Sequence, residues 1–152
     1  MGNPGKDTME RPRIFIEGKL VEQEFGGCSV FSEGDCDGRN PYGDLSRCYL
    51  HHIGRRYMEL LYKHHFTDSL KQEAQCILAF HYQFFRELVF SLEKGGNFVL
   101  LSDERSPVFH CRAGSIERGL MPLLLQFVPK SYRKRVGSVS MQELVQEIKQ
   151  SS

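Results

Sequence analysis

Apolar and β-branched residues gather at Ile14-Phe15-Ile16 and again at Leu20-Val21, with Gly18 between them. This run predicts a strand over residues 13–21 with a bend or bulge at the glycine. A glycine-rich, acidic stretch from Gly26 to Gly43 follows and predicts an extended surface connection. Behind Asp44, a residue suited to an N-cap, Leu45, Tyr49, Ile53, Tyr57, Leu60 and Leu61 recur at helical spacing and predict a helix to about His64. Ser69 with Gln72 reads as a capping box for a second helix. Its stripe runs Leu70, Ala74, Ile77, His81, Phe84, Phe85, Leu88 and Leu92, and Gly95-Gly96 ends it. Two short strand-like runs come next, Phe98 to Leu101 and Pro107 to Cys111, separated by a polar turn from Ser102 to Ser106.

Past Cys111, Ser115 is placed to cap a helix carrying Leu120, Leu123, Leu124 and Phe127, with Pro122 near its first turns and Pro129 closing it. Ser140 with Glu143 makes another capping box, for a last helix with Met141, Leu144, Val145 and Ile148 on one face. The expectation is a loose polar N-terminus at 1–11 and one globular domain over 12–150. Its class is α/β, a small sheet flanked by helices in which the strands ending near Leu101 and Cys111 are central, with α+β as the alternative. The expected core is Ile14, Ile16, Ile53, Leu60, Ile77, Phe84, Leu88, Val99, Val108, Phe109, Leu123 and Leu144.

Composition narrows the function classes. Twenty Lys+Arg against 19 Asp+Glu give the 152-residue chain a net charge of +1, too small for a global field that would grip nucleic acid or an anionic membrane. The five cysteines are odd in number and scattered, and the first residues hold no apolar leader core, which points to a reducing, intracellular and cytoplasmic setting. The most apolar stretch, Cys76 to Leu92, carries His81, Gln83, Arg86 and Glu87, so no membrane span is expected. A Walker loop, a dinucleotide fingerprint and a Gly-x-Ser-x-Gly elbow are all missing, and no cofactor is called for.

The strongest chemical signal is the run from Val108 to Gly119, a strand ending in a cysteine followed by a glycine-containing loop and a helix start. Amides at a helix N-terminus point at an anion and stabilise a thiolate, so Arg112, Ala113, Gly114, Ser115 and Arg118 are candidate phosphate-binding residues. His110-Cys111-x-x-Gly114 followed by Arg118 resembles the signature loop of the cysteine-dependent protein tyrosine and dual-specificity phosphatases, a resemblance covering about residues 67–150. It implies Cys111 as nucleophile, His110 as support for its thiolate, Arg118 on the phosphoryl group and Asp68 as general acid. Six residues separate Cys111 from Arg118 where that family has five, Glu117 holds the family's arginine position, Gly119 replaces its Ser/Thr, and the chain has no Trp. The expectation is therefore a degenerate, regulatory pseudophosphatase that binds a phosphorylated protein or another phosphate ester. An active cysteine phosphatase and a non-enzymatic adaptor or RNA-binding regulator are the alternatives.

Weaker constellations complete the picture. Glu33 to Asp44 has the acid spacing of a calcium loop, but with no helix expected before it, Asn40 where an apolar residue belongs and Pro41 in the backbone, it reads as a solvated acidic loop. Cys28, Cys36 and Cys48 with His51 or His52 are a candidate zinc set, against buried thiols and exposed imidazoles. Lys130-Ser131-Tyr132-Arg133-Lys134-Arg135 is the one basic cluster, read as a solvated face, a nucleic-acid contact or a docking patch. Leu120 to Leu125 is an apolar surface for a protein partner.

Overall fold

Along one strand Phe98 and Leu100 are buried while Val99 and Leu101 are half-buried, and this period of two decides which side of the sheet holds the core. The computed structural model describes residues 13–19, 25–40, 47–52, 56–66, 68, 74–109, 111–113 and 116–152; for 51–52, 111–113 and 116–118 it describes the backbone alone. In chain order the elements are β1 (Ile14–Lys19), α1 (Ser29–Ser32), α2 (Tyr49–His52), α3 (Arg56–Lys63), α4 (Leu78–Glu93), β2 (Asn97–Ser102), β3 (Cys111–Ala113), β4 (Ile116–Arg118), α5 (Leu120–Phe127), a 3-10 helix (Lys130–Arg135), β5 (Val136–Ser140) and α6 (Met141–Gln150).

The main sheet is parallel, in the order β1-β2-β5. Ile14 lies opposite Asn97 and Lys19 opposite Ser102, while Phe98 lies opposite Val136 and Ser102 opposite Ser140. The chain advances in the same direction at both crossovers, so right-handed connections lay both sets of helices on one face. The rings trace that layer: Phe98 meets Phe84 of α4 at 5.7 Å, Phe84 meets Phe85 at 5.1 Å, and Phe85 meets Phe127 of α5 at 6.4 Å. Each pair is nearly edge-to-face, the arrangement that ring quadrupoles favour. Met58, Leu61, Phe66 and Leu88 fill the same layer without measurable exposure.

A loop builds a kink into α4. His81 leaves helical geometry at φ −126°, ψ 31°. The bond that would run from the Gln83 amide to the Ala79 carbonyl is replaced: Cys28 N–H donates to Ala79 at 3.0 Å, and Gln83 N–H donates to the Phe25 and Gly26 carbonyls at 3.0 and 3.2 Å. Insertion of a chain segment into the helical ladder is a recognised cause of such bends. Only a glycine admits this approach, because a Cβ on Gly27 would stand 2.6 Å from the Ala79 carbonyl oxygen.

Several expectations change here. Ala74 to Cys76 do not continue the second helix, which begins at Leu78; Asn40 N–H donates to Ala74 O and Cys76 N–H to Gly38 O, fixing that segment against the acidic loop instead. Ser69 and Gln72 lie outside the described residues, as do Asp44, Leu45 and Ile53 of the first helix. Pro107 to Phe109 form turns, and Cys111 belongs to a separate two-stranded hairpin rather than to the centre of the main sheet. The last helix starts at Ser140 as expected, with both halves of the capping box made: Glu143 N–H donates to Ser140 Oγ at 3.1 Å, and Ser140 N–H to Glu143 Oε2 at 2.9 Å. Of the expected core, Leu60, Phe84, Leu88 and Val108 are buried, whereas Ile14, Ile16, Leu123 and Leu144 are exposed. Among the described residues no helix is long and apolar enough to cross a membrane.

Candidate functional site

In an open parallel sheet the carboxyl ends of the strands leave the crevice where ligands bind. Here that edge is formed by Lys19 of β1, Ser102 of β2 with Asp103 just after it, and Ser140 of β5. Glu17 and Lys19 are two apart on β1 and so share a face. Gln83 of α4 lies between them, its Nε2 donating to Glu17 Oε1 at 2.7 Å and its Oε1 accepting from Lys19 Nζ at 2.9 Å. The Lys19 ammonium also stands 5.9 Å from the Phe25 ring centre. On the neighbouring strand Ser102 Oγ donates to the Lys19 carbonyl, closing the junction between the two strand ends.

Asp103 is the most heavily bonded carboxylate at this edge. Its oxygens accept from Arg105 N at 2.9 Å, Arg105 Nε at 2.7 Å, Arg105 Nη2 at 3.1 Å and Gln142 Nε2 at 3.0 Å. The Arg105 side chain, then its backbone amide, then Gln142 hold the carboxyl well below the usual aspartate range. Beside it opens a surface cavity of about 370 Å³ lined by Glu104, Phe109, Ser138, Ser140, Gln142, Glu143 and Gln146. The Glu143 carboxyl is likewise lowered, by the Ser140 amide and hydroxyl it caps. The edge thus presents charged groups already held in position by their neighbours, which is the condition for electrostatic work on a charged substrate.

Of the residues singled out from sequence, the structure places Cys111 and Arg118 opposite each other, in a hairpin rather than at a loop and helix start. Arg112 lies opposite Glu117 and Ala113 opposite Ile116 in the same antiparallel hairpin β3-β4, and the following helix opens at Leu120 behind Gly119. A strand pair therefore replaces the loop running into a helix N-terminus on which the phosphate cradle depended. His110, Gly114 and Ser115 lie outside the described residues, and Asp68 is exposed.

Cys36, Cys48 and Cys76 line a second cavity of about 460 Å³ with Arg39, Arg47 and Tyr49, and Cys28 is buried close by. Among the described residues no three His, Cys, Asp or Glu side chains form a metal-binding group, so neither the zinc set nor the calcium loop is assembled there. The basic cluster is partly spent on backbone: Arg133 donates to the Val128 and Gln126 carbonyls at 3.0 and 3.2 Å, and Arg135 Nε to Gly96 O at 3.1 Å. Tyr132, considered for base stacking, has its hydroxyl 3.0 Å from His64 Nδ1, with the two rings edge-to-face at 5.5 Å. In the Leu120 to Leu125 stretch Met121 and Leu124 are buried and Leu123 is exposed.

Glu17, Lys19 and Gln83 were missed as a site because 66 and 64 residues separate the bonded pairs. The available signal is a carboxylate and an ammonium spaced by two on a strand, with Asp103 just past the end of a second strand.

Comparison with known proteins assigns the chain elsewhere than to the phosphatases. No curated protein and no solved structure matches it. A family model described as restriction endonuclease associating with ARP matches residues 7–152. That match overturns the phosphatase resemblance, together with the pseudophosphatase and phosphate-binding readings drawn from it, and lends nothing to the adaptor or RNA-binding alternative. The chain belongs to the family of restriction endonucleases associating with ARP.

Proposed function

We propose that this chain serves in nucleic-acid restriction, acting on the phosphodiester backbone of DNA in association with a partner of the ARP class, with the carboxyl edge of the sheet as its working surface. The family match over residues 7–152 carries the reading. The edge supplies suitable chemistry: Lys19 offers an ammonium to a phosphate oxygen, Glu17 a carboxylate on the same face of β1, and Gln83 fixes the spacing of the two.

Nucleases commonly hold divalent cations through carboxylate oxygens. The described residues do not form such a site, since no three ligating side chains stand together and both Asp103 oxygens are engaged by Arg105 and Gln142. No cation-assisted step is assigned to them. A net charge of +1 leaves the chain little electrostatic hold on DNA, so this reading gives the partner a share in delivering the substrate.

The test is incubation of the full chain with supercoiled plasmid and magnesium or manganese, alone and with the co-expressed ARP-class protein. Nicked or linear plasmid is expected, and loss of that activity in Lys19→Ala and Glu17→Gln proteins that keep the wild-type circular dichroism. Intact, unbound plasmid under every condition would overturn the proposal.

A further inference from the structure

The amino ends of the strands form an edge of their own, opposite the carboxyl edge. Arg13 stands directly before β1, Lys94 three residues ahead of β2 and Arg135 directly before β5. Hydrogen bonds tie the three together: Asn97 N–H donates to Arg13 O at 2.8 Å, Arg13 Nη1 to Lys94 O at 3.4 Å and Arg135 Nε to Gly96 O at 3.1 Å. Glu93 ends α4 at this edge, and its carboxylate draws in Lys63 Nζ at 2.7 Å, His64 Nε2 at 3.1 Å and Arg56 Nη2 at 4.0 Å. His64 Nδ1 in turn lies 3.0 Å from the Tyr132 hydroxyl, which brings in the 3-10 helix with Lys130, Arg133 and Lys134. One chain of contacts thus joins cations from four segments of the sequence. Across residues 13, 56–68, 93–96 and 130–135 eight Lys and Arg stand against the three carboxylates of Glu59, Asp68 and Glu93. The excess is positive, although the whole chain is nearly neutral.

The cations are held in place by neutral groups. Arg133 donates to the Val128 and Gln126 carbonyls, Arg135 to Gly96, and Tyr132 is fixed by His64. Carbonyl acceptors leave a guanidinium its charge, so the 3-10 helix is anchored without being neutralised. No residue of that helix is buried, and Lys130 and Lys134 are exposed on it, as are Arg13 and Lys94 beside it. Charged side chains carried on a backbone already fixed lose less conformational freedom when they meet a ligand. Arg13, Lys94 and Arg135 head three neighbouring strands, whose spacing is about 5 Å each. Charge spread along an edge in this way suits a row of phosphates better than one small anion.

We infer that this amino edge docks the sugar-phosphate backbone of duplex DNA, independently of base sequence, through Arg13, Lys94, Lys130 and Lys134. The choice of DNA as the polyanion rests on the restriction reading. The strands, up to six residues long, keep the two edges about 16–20 Å apart. Docking here therefore leaves Glu17 and Lys19 free.

The experiment is fluorescence anisotropy of a short labelled DNA duplex titrated with the full chain in EDTA, which separates binding from cleavage, between about 50 and 200 mM salt. Wild-type affinity is expected to fall steeply as salt rises. The double variant Lys130→Ala with Lys134→Ala is expected to bind about tenfold or more weakly at low salt, and to lower the salt slope by about two. Arg13→Ala with Lys94→Ala, at the other side of the edge, is expected to do the same, with both folds checked by circular dichroism. Arg39→Ala removes an exposed cation from the acidic loop and is expected to change neither quantity. A wild type that binds no duplex, or that prefers phosphatidylserine vesicles to it, would overturn the inference. So would double variants with wild-type affinity and slope, or an equal loss in Arg39→Ala. Duplex bound with the expected slope but no plasmid cleavage would uphold the docking edge and count against the carboxyl-edge chemistry alone.

Discussion

Gln142 Nε2 donates to Asp103 Oδ2 at 3.0 Å, joining the first turn of the last helix to the end of the central strand. A second bond reinforces the junction, from Glu104 N–H to Gln142 Oε1 at 3.1 Å. One amide side chain therefore spans 39 residues of sequence and holds β2, its following turn and α6 in register.

Asp103 consequently carries a pH dependence of definite sign. Its carboxyl titrates below the ordinary 3.8 in the folded protein, because Arg105 and Gln142 favour the ionised form. Its contribution to stability is present above about pH 3.8 and is lost as pH falls from there toward the folded-state value. Asp103→Asn is expected to unfold more readily than wild type at neutral pH, with the difference closing on acidification. Parallel denaturant curves at pH 7 and pH 3 check this, and a constant gap between the two proteins would count against it.

The kink in α4 yields a backbone prediction. A methyl group at position 27 would meet the Ala79 carbonyl oxygen at 2.6 Å, within its contact radius. Gly27→Ala is expected to cost about 1–3 kcal/mol, the usual range for forced overpacking. Hydrogen exchange should localise the damage, since the Cys28 and Gln83 amides that bridge loop and helix would lose protection. Unchanged exchange at both amides would separate any stability loss from the kink.

Cys76 offers a chemical probe of the cysteine cavity. Burial pushes its thiol from the ordinary 9.0 up to about 11, with smaller contributions from Cys48 and Cys28. Two units mean about a hundredfold less thiolate near pH 8 than in the unfolded chain. Iodoacetamide labelling of Cys76, followed by peptide mass spectrometry, is expected to be slow in native protein at pH 8, to accelerate in urea, and to rise steeply as pH approaches 11. Equal rates in native and unfolded protein would contradict that burial.

What the sequence disclosed depended on the range of the physics involved. The capping box of Ser140 and Glu143 is legible because its partners are three residues apart, and the helix appears where they place it. Phe98 to Leu101 is legible as a strand through its apolar density. Val136-Gly137-Ser138-Val139 shows no such density and becomes β5 through pairing with β2, a tertiary gain invisible to local pattern. Apolar composition places Ile14 and Ile16 in the core, but the two-residue period puts them on the sheet face opposite Phe98 and Leu100. At the carboxyl edge, Glu17 and Gln83 meet across 66 residues, and no spacing rule reaches that far. The run around Cys111 misled for a related reason. A strand followed by Gly114-Ser115 is compatible with a helix cap and with a hairpin alike, and the partner strand Ile116–Arg118 is too short to announce itself.

The register of β1 also sets an order of events during synthesis. Ile14 finds its partner in Asn97, so β1 waits for 83 further residues before its ladder with β2 can close. Pairings of that separation are slow, because the loop entropy is lost before the contacts repay it. Throughout the wait Ile14-Phe15-Ile16 is an unpaired apolar strand, the kind of segment that associates with its like. Yield at high expression is therefore expected to be governed by the delay between β1 and β2, and slower translation or lower temperature would favour the chain that closes on itself over the one that meets a neighbour.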